Sequence, residues 1–448
     1  MSQSLLEKQK QSLAKWPSIS LRYAADIRNS NVDKKSYENG APVKLCNYTD
    51  VYYNEKITSA LSFMRATATQ NELERFQLRE GDVIITKDSE SWDDIGVPAC
   101  VDEPLPNVVC GYHLCLLRPK SEVLNGRYLL RALQSGGIRE KLWLASRGVT
   151  RFGLGLDGIR DLQLPLPPLP TQKAIANFLD RKTAAIDALI EKKEKLLELL
   201  AEKRSALINQ AVTKGLDPNV PMKDSGIPWI GEIPGHWEVK ALKRLSNFVT
   251  SGPRGWGQYY SETGPFFLRI GNVSRDRIDL LLGELQSVSP PSNTEGLRTR
   301  TKSGDILVSI TADIGSVGIV PDDLAEAYVS QHLALVRPEV GKVIPRFLAY
   351  AARGPWAKYH FGSLMQGGTK VGLTLDDVRN LKVGLPPRPE QLAIQSFLDK
   401  NLRHSFELSS RISKQMVALT EYRQSLTTAA VTGQLEIPIE PSAGQDYE

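Results

Sequence analysis

The sequence predicts two α/β (α+β) globular domains, pseudo-two-fold related, joined by two long helices that pair as an antiparallel coiled coil. Three observations carry that expectation. Residues 150–216 recur without a gap at 369–435, with 27 identities in 67 positions. Each copy opens on a Gly-Leu-x-Leu-Asp stretch, crosses a Pro-rich segment and ends in a long apolar pattern of helical period. Outside the repeat the offset drifts, from 221 between Trp16 and Trp237 to 223 between Asp82 and Asp305, and back to 219 between His113 and His332. Loops accept insertions at small cost, whereas a helix with a fixed packing register does not. The period is also far too long for a solenoid unit, so each copy is a whole domain with its connector.

Bulk composition sets the bounds. At roughly 100–200 residues per domain, 448 residues make about two to four units. A hydrophobic share of 41% and a charged share of 24% are those of a globular protein, and the net charge of +5 permits nucleic-acid binding without demanding it. Cys46, Cys100, Cys110 and Cys115 have no CxxC spacing and read as free thiols. A metal site on Cys110, His113 and Cys115 is not supported by the second copy, which has Val329, His332 and Ala334 there. The first residues hold no apolar signal core and no run of about 18 apolar residues occurs, so a soluble, cytoplasmic chain is expected.

The elements follow in order. Residues 1–15 form helix, and 16–164 make the first domain, with strands at Asp82–Thr86 and Val108–Leu117 and a helix at Gly126–Leu133. The region 165–236 begins with the Pro-rich stretch Leu164–Pro170, which cannot be helix interior and serves as a rigid spacer. A ligand for a small proline-recognition domain is the competing reading, weakened because a helix follows at once in both copies. That helix runs from about Thr171 to Thr213, roughly 60 Å. Ile186, Ile190, Leu197, Leu200, Leu207 and Ala211 make a 4-3 seam broken by Lys193 and Arg204. The second domain spans 237–384, and the distal region 385–437 repeats the spacer and helix at Gln391–Thr432. Its seam holds Ser405, Ser409, Ile412, Met416, Leu419, Arg423, Leu426 and Ala430, and a flexible tail follows at 438–448. Neither stripe is well made alone, so the two helices bury each other, antiparallel if the domains lie at opposite ends. Leu189, Leu196 and Leu199 either widen the seam or await a further partner.

Catalytic motifs are missing. There is no phosphate-cradling G-x-x-x-x-G-K-[ST] loop, no H-E-x-x-H and no G-x-S-x-G elbow. His113 and His332 lie inside strand-like runs and read as satisfied structural histidines. Phe152-Gly153-Leu154-Gly155 resembles a methyl-donor turn, but its copy, Val371-Gly372-Leu373-Thr374, loses a glycine, so a turn that closes the domain is preferred. Glu191-Lys192-Lys193 suits a nuclease Glu-x-Lys only superficially, since it falls mid-helix.

Basic and amide side chains gather instead in matched loops. Ser146 to Arg151 aligns with Met365 to Lys370, which places Arg147, Thr150 and Arg151 opposite Gln366, Thr369 and Lys370. Arg suits guanine edges, Gln suits adenine, and Thr suits phosphate. The second domain adds a Gly-rich, aromatic loop with Arg254 and Trp256, then Arg269, Asn272, Arg275 and Arg277. The first offers Lys34, Lys35, Tyr37, Asn39, Arg65 and Arg75. These loops are the candidate DNA contacts.

Taken together, the pattern resembles the specificity subunit of a type I restriction–modification system. The resemblance rests on Leu-Pro-Pro-x-Pro-x-Gln-x-Ala-Ile-x-x-Phe-Leu-Asp at 166–180 and again at 385–399, on the Ala-Val-Thr helix endings at 211–213 and 430–432, and on the run from Asp224 to Pro234 with His236-Trp237. It implies two target recognition domains, each reading one half of a bipartite double-stranded DNA site, spaced by the paired helices. It further implies docking of two modification (methyltransferase) subunits that use S-adenosylmethionine, and restriction subunits that use ATP and Mg, with no cofactor or metal on this chain and no catalysis by it. The seam residues Ile186, Ile190, Leu197, Leu200, Leu207, Ile412, Met416, Leu419 and Leu426 become the coiled-coil and docking positions. One departure is that the second copy lacks an Asp-Ser-Gly-Ile-Pro segment; residues 1–15 are expected to complete that end. A stand-alone methyltransferase or nuclease, and a coiled-coil scaffold that does not bind DNA, are the alternatives.

Overall fold

The computed structural model describes residues 15–35, 40–228, 230–291, 294–365 and 372–438. The chain divides into two compact units, Met1–Lys193 with Ser413–Glu448, and Glu194–Ile412. The division falls inside the two long helices, so each unit owns one α/β domain and a part of both helices.

In the first unit a five-stranded sheet has the order Ala25–Asn29, Leu114–Pro119, Val83–Thr86, Pro98–Val101, Lys56–Ile57, antiparallel except for its last pair. Its central strands are apolar at successive residues because both faces are covered. Val83, Ile85, Cys115 and Leu117 face a core shared with Tyr128, Leu129 and Leu133 of the helix Gly126–Gln134. Ile84, Leu114 and Leu116, one residue out of phase, face a second core with Val43, Leu45 and Phe76. The strand expected over Val108–Leu117 is two strands, Val108–Cys110 and Leu114–Pro119, parted by a turn at 111–113. The four cysteines are buried and free.

The second unit repeats the order with Ser246–Ser251, Leu333–Pro338, Ile306–Ser309 and Val317–Ile319, and a parallel bridge from Asp279 to Ile319 stands where the fifth strand was. Each domain is closed by a pair joining its first and last strands, Ser18–Ser20 with Gln163–Pro165 and Glu238–Ala241 with Lys382–Leu385.

A buried ion pair recurs in the same place. Asp82, 1% exposed, takes a two-pronged contact from Arg118 at 2.8 and 2.7 Å, and Asp305, also 1% exposed, takes one from Arg337 at 2.8 and 2.6 Å. Each carboxylate also accepts a backbone N–H three residues before it, from Arg79 and from Lys302. The glycine before it, Gly81 (φ +85°) or Gly304 (φ +77°), holds the left-handed conformation that lets the chain turn into the strand.

The long helices are Leu169–Lys214 and Arg388–Thr432. Pro170 and Pro389 sit in their first turns, where the missing N–H has no intrahelical partner to lose. Gln172 and Gln391, both buried, join helix to domain. Each accepts a backbone N–H, from Asn125 at 2.8 Å or Ile344 at 2.9 Å, and donates to a carbonyl of the spacer, Pro167 or Pro386. Asp180 takes Arg127 and Arg131, and Asp399 takes Arg346 and the Tyr350 hydroxyl. Gly215 (φ +72°) and Gly433 (φ +78°) end the helices.

Within each unit the helices run antiparallel. In the first, Lys193 donates to Gln415 at 2.7 Å and Arg423 to Asp187 at 3.2 Å, while Ile175 and Leu179 share a core with Ala430 and Val431. In the second, Arg204 donates to Ser409 at 2.9 Å, and Ile208, Ala211 and Val212 share a core with Ile394, Leu398 and Leu402. Ile186 and Ile412 are buried; Ile190, Leu197, Leu200, Leu207, Met416, Leu419 and Leu426 are half-buried. Both polar breaks, Lys193 and Arg204, thus have partners on the facing helix. Leu189, Leu196 and Leu199 stay exposed, so the seam does not consume them. At the end of the second helix the Lys15 N–H reaches the Thr432 carbonyl at 3.0 Å and Gly433 packs against Trp16. The expected helix over residues 1–15 lies outside the described residues except for Lys15.

Candidate nucleic-acid interface

The loop singled out at 146–151 is the tip of a hairpin. Ser146–Arg147 pairs with Phe152–Leu154, which pairs in turn with Asp88–Ser89. Gly148 (φ +147°) allows the tight reversal, since a Cβ there would sit 2.0 Å from the Arg151 carbonyl oxygen. Arg147, Thr150 and Arg151 are exposed, as the sequence led us to expect. The pairing delivers Arg151 to a cluster of side chains around His113. Its Nη2 lies 3.3 Å from His113 Nδ1, which lies 2.9 Å from Asp88 Oδ2, and Lys87 Nζ is 3.1 Å from the same carboxylate oxygen. In one tautomer His113 Nδ1 donates to Asp88; in the other it accepts from Arg151. Burial pushes the Asp88 carboxyl up, but hydrogen bonds from His113 and Lys87 outweigh it and hold it below its ordinary value. Lys87 also stands 4.8 Å over the ring of Tyr112, which is 51% exposed.

His113 sits in the turn 111–113, not inside a strand as its apolar neighbours suggested. Gly111 makes that turn possible, because a Cβ would come within 2.7 Å of the Cys46 carbonyl oxygen. Lys34 lines the same small hollow as Tyr112 and His113, and Lys35 beside it is exposed. Arg65 lies elsewhere, exposed on the edge strand Met64–Ala68 of another sheet.

The second unit builds the same turn with different chemistry. Thr311 stands at the place of Asp88, Gln331 at that of Tyr112 and His332 at that of His113. The His332 ring donates from Nδ1 to Thr311 Oγ1 at 2.8 Å and accepts at Nε2 from Gln331 at 3.1 Å, a mutually consistent tautomer. The Leu373 N–H donates to the Ile310 carbonyl at 2.7 Å, as Leu154 does to Lys87 at 2.8 Å. Gln366, Thr369 and Lys370 lie outside the described residues. Arg254 and Arg269 are exposed.

Two of the expected contacts are corrected. Trp256, 3% exposed, stacks on Phe267 at 5.9 Å and 24° and meets Tyr328, so it is the centre of a small apolar cluster and cannot present its ring to DNA. Asn272 is buried as well; its Oδ1 accepts from the Arg269 N–H at 2.8 Å and its Nδ2 donates to the Leu281 and Glu284 carbonyls, which leaves nothing for a base edge. Arg275 is exposed but ion-paired with Asp313. The signal that could have found the turns was the histidine itself, present in both copies at the fixed offset of 219.

Comparison with known proteins bears on the family and the fold. A family model described as the type I restriction modification DNA specificity domain matches residues 23–199 and 298–416. The chain is 26% identical over 378 residues to the putative type I restriction enzyme MjaX specificity subunit of Methanocaldococcus jannaschii, covering 82% of this chain and 81% of that protein. It is 24% identical over 437 residues to the type I restriction enzyme EcoBI specificity subunit of Escherichia coli, covering 94% and 86%. The fold is similar to the HsdS subunit from Thermoanaerobacter tengcongensis, with a TM-score of 0.52 and 18% identity over 94% of this chain and 97% of that one. A chain from a structure of type I R-M complex assembly and conformational transition gives a TM-score of 0.65 at 18% identity, covering 94% and 98%.

Proposed function

The chain belongs to the family of type I restriction–modification DNA specificity domains, and from that premise we propose that it reads a bipartite site with one half-site assigned to each domain. The observation that supports this assignment is the repeated turn, with its histidine held at equivalent positions and its neighbours changed from Lys87, Asp88, Tyr112 and Arg151 to Ile310, Thr311 and Gln331. A frame that holds one backbone geometry while exchanging donors and acceptors at its tip suits two different base sequences. Hydroxyl, amide and imidazole groups in the second turn offer neutral hydrogen bonds to base edges. The first turn adds guanidinium and ammonium groups that serve guanine or phosphate equally.

The chain itself selects the site. Methyl transfer to the selected DNA falls to modification subunits docked on it, and cleavage to restriction subunits where they join. S-adenosylmethionine and ATP with Mg are then held by those partners. The antiparallel helices set the separation of the half-sites.

The test is an exchange of residues 16–164 for the corresponding domain of another family member, followed by mapping of methylated sites in cells that also express the modification subunit. One half of the recognised sequence changes and the other stays. A change in both halves, or in neither, sinks the assignment of one half-site to each domain.

A further inference from the structure

The second unit contains a cleft of about 840 Å³ whose chemistry is the reverse of its counterpart in the first. The two clefts are equivalent by position. In the first, residues 95–97, Gln134, Arg139 and Gln424 form part of the wall; in the second, Ile314 to Ser316, Arg353, Lys358 and Ser205 occupy the same places at an offset of 219. The first cleft carries its own acids, Glu55, Asp93 and Asp94. Glu55 is the central one, accepting from Arg131 at 2.9 Å, from Gln134 at 2.9 Å and from Arg423.

In the second unit that carboxylate is gone. The Cys100 N–H donates to the Glu55 carbonyl, and the equivalent Ile319 N–H donates to the Ile278 carbonyl, so Ile278 stands where Glu55 stood. Gln134 has become Arg353. Two of the Arg353 nitrogens donate to the Arg275 carbonyl, and the third, Nη1, is buried with no partner among the described residues. A buried, unpaired guanidinium nitrogen is costly, and proteins satisfy such groups with an anion or water. Arg204 lies close enough to work against the charge on Arg353, and Asp276 is the acid that acts on both. Lys358 adds a further exposed cation to the wall, while Arg275 is taken by Asp313. Among the described residues, no acidic one lines the cleft. Its remaining walls include Tyr359 and Phe361, and its size is that of small-ligand sites, about 300–1,000 Å³.

We propose that this cleft binds an oxyanion, phosphate or carboxylate, carried on a small apolar or aromatic body, and that Arg353 and Lys358 receive it. The first unit keeps an internal carboxylate, Glu55, against Gln134, the counterpart of Arg353.

Calorimetry on the full chain with adenosine 5′-monophosphate, inorganic phosphate and benzoate as probes tests this. At least one probe saturates at one site per chain. R353Q, which installs the residue found in the first unit, weakens it by about tenfold or more, as loss of a charge-assisted contact does. K358Q, an exposed position whose change does not threaten folding, weakens it less but measurably. Saturable binding by no probe, or binding that neither variant alters, overturns the proposal. A duplex that displaces the bound probe assigns the cleft to the DNA backbone and overturns the small-ligand reading.

Discussion

The two units share their scaffolding atom for atom in places, yet differ at most of the charged and polar side chains that surround the turn and line the cleft. Asp82 with Arg118 and Asp305 with Arg337 make the same buried pair, and Gln172 and Gln391 make the same joint. Against that constancy, the turn around His113 is charged while the turn around His332 is neutral, and the cleft beside Glu55 is acidic while the cleft beside Arg353 is basic. The lesson is that the fold separates what must hold from what is free to vary. Groups that fix the backbone are buried and duplicated; groups aimed outward have been rewritten.

The largest effects should therefore be equal in the two units. D82A strands Arg118, and D305A strands Arg337; removal of one partner from a buried pair costs about 3–5 kcal/mol. Urea unfolding of each variant should show similar losses. A loss in one variant with none in the other breaks the claim that the pair does the same work twice. Next in size come Q172A and Q391A. Each leaves a part-buried N–H and a buried spacer carbonyl unpaired at the start of a long helix, and Q172A also strands the Val123 carbonyl, at about 1–3 kcal/mol per unsatisfied buried group. Here too parallel losses are expected, and a neutral Q391A sinks the idea that the joints are interchangeable.

Acid should then tell the units apart. Burial pushes the Glu55 carboxyl up, but the Arg131 and Arg423 guanidinium groups outweigh it and hold it below its ordinary value of 4.5. A carboxyl whose folded value is depressed contributes stability that is present above 4.5 and is lost as pH falls through the lower, folded value. Ile278 gives the second unit nothing to titrate at that place. Thermal melting below pH 4.5 should thus lower the transition of the first unit, and E55Q should flatten that dependence. An E55Q chain that melts with the same acid slope removes Glu55 as its source.

Much of this was legible in the sequence, and the reasons for the gaps are physical. The long helices and their Pro-bounded starts could be read because helical period, proline chemistry and an unbroken repeat are all local or exactly registered signals. Lys193 and Arg204 were visible as breaks in the seam, but Gln415, Ser405 and Ser409 as their partners were not, since hydrogen bonds between helices depend on register. The bond from Arg118 to Asp82 joins residues 36 apart in sequence and follows from strand order, which composition does not encode. Trp256 was misread for a related reason. A Gly-rich aromatic loop has the composition of a nucleic-acid contact, yet Phe267 from the next strand and Tyr328 from a strand far along the chain pack on its ring and hold it inward. The apolar run 108–117 hid the turn that exposes His113, because burial on both sides of a short reversal looks like one continuous strand.

The smallest predicted effect separates charge from shape at the two turns. Arg151 is exposed and its guanidinium borders His113, so it can reach a phosphate as readily as a base. If it meets a phosphate, R151Q in the assembled methyltransferase complex weakens binding about uniformly across sequences and lowers the slope of log affinity against log salt by about one. Q331A in the second turn removes a neutral amide, releases no counterion and should leave that slope unchanged, while relaxing the preference at one base position. Both measurements come from the same salt titration on cognate duplex and on duplexes altered in one half-site. Were R151Q to leave the slope untouched and relax a single base position instead, Arg151 would be a base reader, and the two turns would differ in the bases they select without differing in how they hold the backbone.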